Sequence, residues 1–127
     1  MRREVDQMIR QARRDLENAG KVAGVGAFEV CAFLAHQAVE RGLKAVRLHT
    51  RQERPPFTHS LTELGAGLGV DARLRRHLAA LTPDYTITRY PDAANGVPYE
   101  LYDEEAAAGR VRAAKEVLEW IEGKLRA

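Results

Sequence analysis

Arg89, Tyr90 and Asp92 follow Tyr85 in a stretch of chain with no helical periodicity, which sets a guanidinium among aromatic rings. A guanidinium grips a phosphate through a fixed fork of donors while a neighbouring ring stacks on a base, so this run is a candidate nucleotide contact. The alternative use of the same residues is mechanical: Arg89 and Asp92 tie the segment down while Tyr85 and Tyr90 fill its flank. Upstream, Gln37, Glu40 and Lys44 recur at spacings of three and four and share one side of an otherwise apolar helix. Lys44 is a compact point charge suited to a phosphate, and Glu40 can orient it. Glu40 and Lys44 also stand in the favourable order for an i,i+4 pair, which contributes only about 0.2–0.5 kcal/mol.

His59 lies beside Thr58 and Ser60, just before a predicted helix start. Free amides there would bind an anion, and a protonated imidazole would help; otherwise His59 bonds into the bundle and fixes the loop before it. General acid–base chemistry on a ribose hydroxyl would need His59 as the proton carrier and Arg54 or Arg89 as the cation, the only catalytic candidates in the chain. His36, on the apolar helix, is expected to be satisfied internally, and His49 and His77 to lie at the surface. Four scattered histidines and one cysteine give no metal-ligand spacing, and no cofactor is implied. Cys31 is expected to serve as a small core side chain.

Basic residues cluster locally. Arg41, Lys44, Arg47, Arg51 and Arg54 are opposed within their own span only by Glu53, and Arg2, Arg3, Arg10, Arg13 and Arg14 crowd the first helix. The span from Glu100 to Glu105 is acidic. With 20 Lys and Arg against 18 Asp and Glu, the net charge is only +2, so any anion site is a local patch and not a global field. One cysteine excludes an intrachain disulfide, no run is long and apolar enough for a membrane span, and the first residues alternate in charge. The expected location is the cytoplasm.

The elements that must position these residues are helices. About Arg2 to Ala19, Val5, Met8, Ile9, Ala12, Leu16 and Ala19 form one stripe, and Gly20, Gly24 and Gly26 suit the turn that follows. About Ala27 to Leu48 the apolar residues cover more than one face, which predicts a central helix, with Gly42 marking a close contact. Pro55 and Pro56 hold the next stretch out of helical geometry. Ser60 and Glu63 read as a capping box opening a short helix that Gly65, Gly67 and Gly69 end, and Asp71 caps a helix over about Ala72 to Leu81. From Pro83 to Leu101 the sequence predicts irregular chain, with Tyr85-Thr86-Ile87-Thr88 its only short strand candidate. Asp103 then caps a long final helix with Ala107, Val111, Ala114, Leu118, Ile121 and Leu125 inward. The expectation is one all-α domain over residues 1–127, an up-and-down bundle of about five helices, three long and two short.

The stretch His36-Gln37-Ala38-Val39-Glu40-Arg41-Gly42-Leu43-Lys44-Ala45 resembles the QAxEKxLKA hallmark of HEPN (higher-eukaryote and prokaryote nucleotide-binding) domains. Ala12-Arg13-Arg14-Asp15-Leu16, Thr58-His59-Ser60-Leu61 with Leu64, Tyr85 followed by Arg89-Tyr90-Pro91-Asp92, and Ala113 to Trp120 match the family in the same order. The resemblance implies a helical bundle like the C-terminal domain of kanamycin nucleotidyltransferase, a homodimer, and often a separately encoded minimal nucleotidyltransferase partner. It makes the ligand a nucleotide or RNA, with Gln37, Glu40, Lys44, His59, Tyr85, Arg89, Tyr90 and Asp92 as binding candidates. Some branches are ribonucleases, including toxins of toxin–antitoxin pairs, with an Arg-x(4–6)-His motif on a helical element. Arg54 to His59 has that spacing, but its two prolines place it on a loop. Against these stands a noncatalytic dimerisation or interaction module whose polar row is structural, with the alanine-rich last helix (Ala106 to Ala108, Ala113, Ala114) available to a mate.

Overall fold

A computed structural model describes residues 2–127 and is helical along most of its length. Helix α1 spans Arg3–Ala23, α2 Phe28–Arg51, α3 Leu61–Gly65, α4 Ala72–Leu81, α5 Asp84–Ile87, α6 Pro91–Ala94 and α7 Glu104–Arg126, with one 3-10 turn at Pro98–Leu101. Among the described residues there is no strand. The three long and two short helices expected from periodicity are present. The segment read as irregular instead holds α5, α6 and the 3-10 turn, and Tyr85-Thr86-Ile87-Thr88 lies in and after α5. Segments of four residues are too short to display a period, so nothing in the pattern could announce them.

The boundaries follow local chemistry. Helix α1 runs through Gly20 and stops at the turn where Gly26 takes a φ of 84°. Such a short connection makes α1 and α2 antiparallel neighbours. At the far end of α2, Gln52 adopts a left-handed φ of 54° before the proline loop. Asp71 and Asp103 accept from the amides of Leu74 and Ala106 at 2.9 and 2.7 Å, capping α4 and α7 as expected. Ser60 Oγ accepts from the Glu63 amide at 3.2 Å, but the reciprocal half of the capping box is absent. The Ser60 amide donates instead to Thr58 Oγ1 at 3.1 Å.

Helix α2 packs against both α1 and α7, which also meet each other. Its buried Leu43, Val39 and Val46 share one core with Ile9 of α1, Leu61 and Leu64 of α3, Leu78 and Leu81 of α4, and Val117 and Ile121 of α7. Gly42 faces α7 so closely that a Cβ there would stand 2.7 Å from Ile121 Cδ1 and 3.2 Å from Leu118 Cδ1. The glycine weakens α2 by about 1 kcal/mol relative to alanine, and the helices approach through the space it leaves. Cys31 is buried in a side cluster with Ala19 and Ala107, and burial raises its thiol pKa.

Candidate functional site

Two buried carboxylates organise the polar side of the bundle. Glu40, 5% exposed, accepts from His59 Nδ1 at 2.7 Å through one oxygen and from Lys44 Nζ at 3.1 Å through the other. An ionised carboxylate only accepts, so the His59 proton sits on Nδ1 and leaves Nε2 as the nitrogen with no protein partner among the described residues. The His59 side chain is 41% exposed. Its backbone carbonyl receives His36 Nε2 at 2.9 Å from the core of α2. His36 Nδ1 meets the Gln37 side chain at 3.3 Å. Burial holds the His36 pKa below its ordinary value, so the ring is neutral. A neutral ring donates through one nitrogen only; with Nε2 donating to the His59 carbonyl, the contact of Nδ1 with Gln37 Oε1 becomes a hydrogen bond only when the side-chain amide is turned to present its NH₂.

Tyr85 stacks on the outer side of this arrangement. Its ring lies 3.7 Å from the His59 ring at an interplanar angle of 12°. The Arg89 guanidinium sits over Tyr85 at 5.3 Å, Phe33 at 5.4 Å and Tyr90 at 6.0 Å. Arg89 is exposed and has no acidic partner among the described residues. Glu40, Lys44, His59, Tyr85, Arg89 and Tyr90 thus converge from α2, the loop before α3, and the α5–α6 region. Gln37 belongs to the same row but turns to His36.

The second carboxylate is Asp84, 1% exposed. It accepts from Tyr102 Oη at 2.7 Å and from Arg110 Nε at 3.0 Å. Burial pushes the Tyr102 hydroxyl well above its ordinary pKa, and the neighbouring Asp84 adds to the shift. Burial works against the Arg110 charge too, but the bond to Asp84 and its negative charge outweigh it and raise the guanidinium pKa. This triad joins α5, the stretch before α7 and α7 itself. It does the anchoring expected of Arg89 and Asp92: Asp92 is exposed at the start of α6 and makes no ion pair among the described residues. Nothing in the sequence marks Asp84 for this role, because an Asp after Pro83 reads as an ordinary turn residue.

Three other expectations are corrected. The anion site expected at the start of α3 is filled by the chain's own hydroxyls. The amides of Ser60, Leu61 and Glu63 donate to Thr58, Thr82 and Ser60. The basic run from Arg41 is mostly committed: Arg41 pairs with Asp15 at 2.9 Å, Arg47 donates to the carbonyls of Leu64 and Ala66, and Arg51 to that of Gly67. Arg54 alone remains exposed without a partner among the described residues. His77 is half-buried and bonds Glu116, which Arg73 also holds at 2.6 Å; the His77 hydrogen bond leads in keeping the Glu116 pKa low. Among the described residues no three His, Cys, Asp or Glu side chains are grouped to hold a metal, and no helix is long and apolar enough to cross a membrane.

The fold is an all-α bundle whose polar face holds one tyrosine ring, Tyr85, in contact with both a carboxylate-held histidine and an arginine. The model of the HEPN domain matches residues 5–124, and the chain belongs to that family. It is similar to TT1696 from Thermus thermophilus, with a TM-score of 0.88 and 28% identity over 98% of this chain and 100% of that one. It is also similar to ST0689, an archaeal HEPN homologue, with a TM-score of 0.84 and 31% identity over 98% of this chain and 99% of that one. No curated protein matches it.

Proposed function

We propose that this HEPN chain is a nucleotide- or RNA-binding module working beside a minimal nucleotidyltransferase partner, and that its phosphate contact is Arg89 with His59. The observation that carries this reading is the Arg89 guanidinium, held over three rings with no acid to neutralise it, one of those rings, Tyr85, being stacked on a histidine whose Nε2 is untied. Tyr90 supplies an exposed ring for a base. Lys44 is bound to Glu40 and acts through it, fixing the tautomer of His59. Asp92 makes no ion pair among the described residues and is given no part in the contact. Replacement of Arg89 or His59 by alanine is expected to weaken nucleotide binding about tenfold, the order of one lost charge-assisted hydrogen bond, with helicity by circular dichroism unchanged. Wild-type affinity in both variants overturns the reading. If no nucleotide or RNA shifts the melting temperature, the noncatalytic interaction module replaces it, since saturation at a hundred times Kd adds about 2.7 kcal/mol.

A second reading, RNA cleavage of the toxin type, is favoured by one contact. The Glu40 carboxylate on Nδ1 leaves His59 Nε2 outward, as a proton carrier at a ribose 2′-hydroxyl requires. Arg89 and Arg54 are the candidate cations, and Arg89 shares the Tyr85 ring with His59. Cleavage of structured RNA by the wild type and not by His59→Ala, read on a gel, would move this reading to first place.

We also propose that copies of the chain pair as a homodimer. Ala107, Ala113 and Ala114, expected from the sequence to face a mate, are buried within the protomer. Val97, Tyr99 and Leu101 are the exposed apolar side chains next to the site segment.

A further inference from the structure

A cleft of about 450 Å³ opens between the start of α1, the later turns of α2 and the proline loop. Its cations are Arg2, Lys44 and Arg54, its carboxylates Glu4 and Glu53, and Phe57 stands at its edge. Glu53 lies 3.8 Å from Arg47 and 3.9 Å from Arg51, so its charge is already engaged. Arg2 and Arg54 have no acidic partner among the described residues.

Two of the cleft's lining residues adjoin the site above. Lys44 is bound to the same carboxylate that holds His59, and the Phe57 ring lies 6.4 Å from the His59 ring. Phe57 is fully exposed, so it contributes nothing to the core. Pro55 and Pro56 fix two backbone angles before it, so the ring is presented at low entropic cost. An exposed ring beside unpaired cations is the composition of a platform for single-stranded nucleic acid, where bases stack and phosphates are neutralised in turn. Arg89, Tyr85, His59 and Phe57 follow one another across this face, each in contact range of the next.

We propose that the proline-loop cleft holds the nucleotide adjacent to the one contacted by Arg89 and His59, so that the site takes a single-stranded oligonucleotide in preference to a mononucleotide. This rests on the Arg89 phosphate contact proposed above. Phe57 stacks the base, and Arg54 with Arg2 meets the flanking phosphate.

The test is fluorescence anisotropy of the intact chain with labelled 2′-O-methyl hexauridylate, which lacks the hydroxyl needed for cleavage, and competition by uridine monophosphate. In the double variant Arg54→Ala with Phe57→Ala, hexamer affinity is expected to fall about tenfold, the order of one lost stacked base. Affinity for the monophosphate stays unchanged. Wild-type hexamer affinity in that variant overturns the cleft proposal, and the Arg89 reading survives if Arg89→Ala weakens both probes. Arg89→Ala and His59→Ala both binding both probes as the wild type does would overturn the underlying reading and the cleft with it.

Discussion

His36 shows how a single side chain ties the core to the site. It is completely buried on α2, yet its Nε2 holds the backbone carbonyl of His59. Burial lowers its pKa, with the bond to that carbonyl and the charge of Glu40 opposing the shift. A histidine whose folded pKa is lowered stays neutral in the fold and takes up a proton more readily once unfolded. Its contribution is present above the ordinary value of 6.5 and is lost as pH falls below it. Stability measured by denaturant unfolding is therefore expected to drop from about pH 7 to about pH 5 in the wild type, and by less in His36→Gln. Equal drops would assign the proton to another group. The pairing of Glu40 with Lys44 was legible from their spacing; that of Glu40 with His59, 19 residues apart, was not, because no local pattern encodes which loop residue returns to a helix.

At the scale of elements, α1, α2, α4 and α7 were readable because each buries a stripe long enough to repeat, and Asp71 and Asp103 declared their starts. Gly42 marks a close helix contact in the sequence, and α7 is the helix that makes it. Residues 84–101 were opaque because their order comes from one buried ion cluster and not from periodicity. Asp84→Ala removes the acceptor shared by Tyr102 and Arg110. The expected cost is about 2 kcal/mol, below the full range for a broken buried pair because Arg110 is partly open to water. Chemical denaturation reads that loss, and hydrogen exchange is expected to rise across residues 84–102 while α1 and α2 keep their protection. Uniform loss of protection would show that the triad supports the whole bundle and not this segment.

For the molecule as a whole, a net charge of +2 coexists with a basic run along α2 that is largely engaged within the fold. Arg41, Lys44, Arg47 and Arg51 are engaged by carboxylates or carbonyls, so counting basic residues in sequence overstated the field that a polyanion would meet. In the proposed reading, recognition rests on two exposed cations without an acidic partner that lie near His59 in the chain or share its stacked tyrosine, Arg54 and Arg89. A two-fold pair would enlarge that small surface without adding charge per chain. Light scattering at micromolar concentration is expected to give twice the 14.2 kDa chain mass; a species of 14.2 kDa removes the homodimer.

Asp84 and Tyr85 are neighbours in the chain that point to opposite duties, one sunk against α7 and the other laid on His59. An alanine scan scored by ligand capture would for that reason flag Tyr102 and Arg110 beside Arg89. The first two would be false contacts: their loss frees the tether that keeps the tyrosine ring in place, and restoring the tether elsewhere should restore capture.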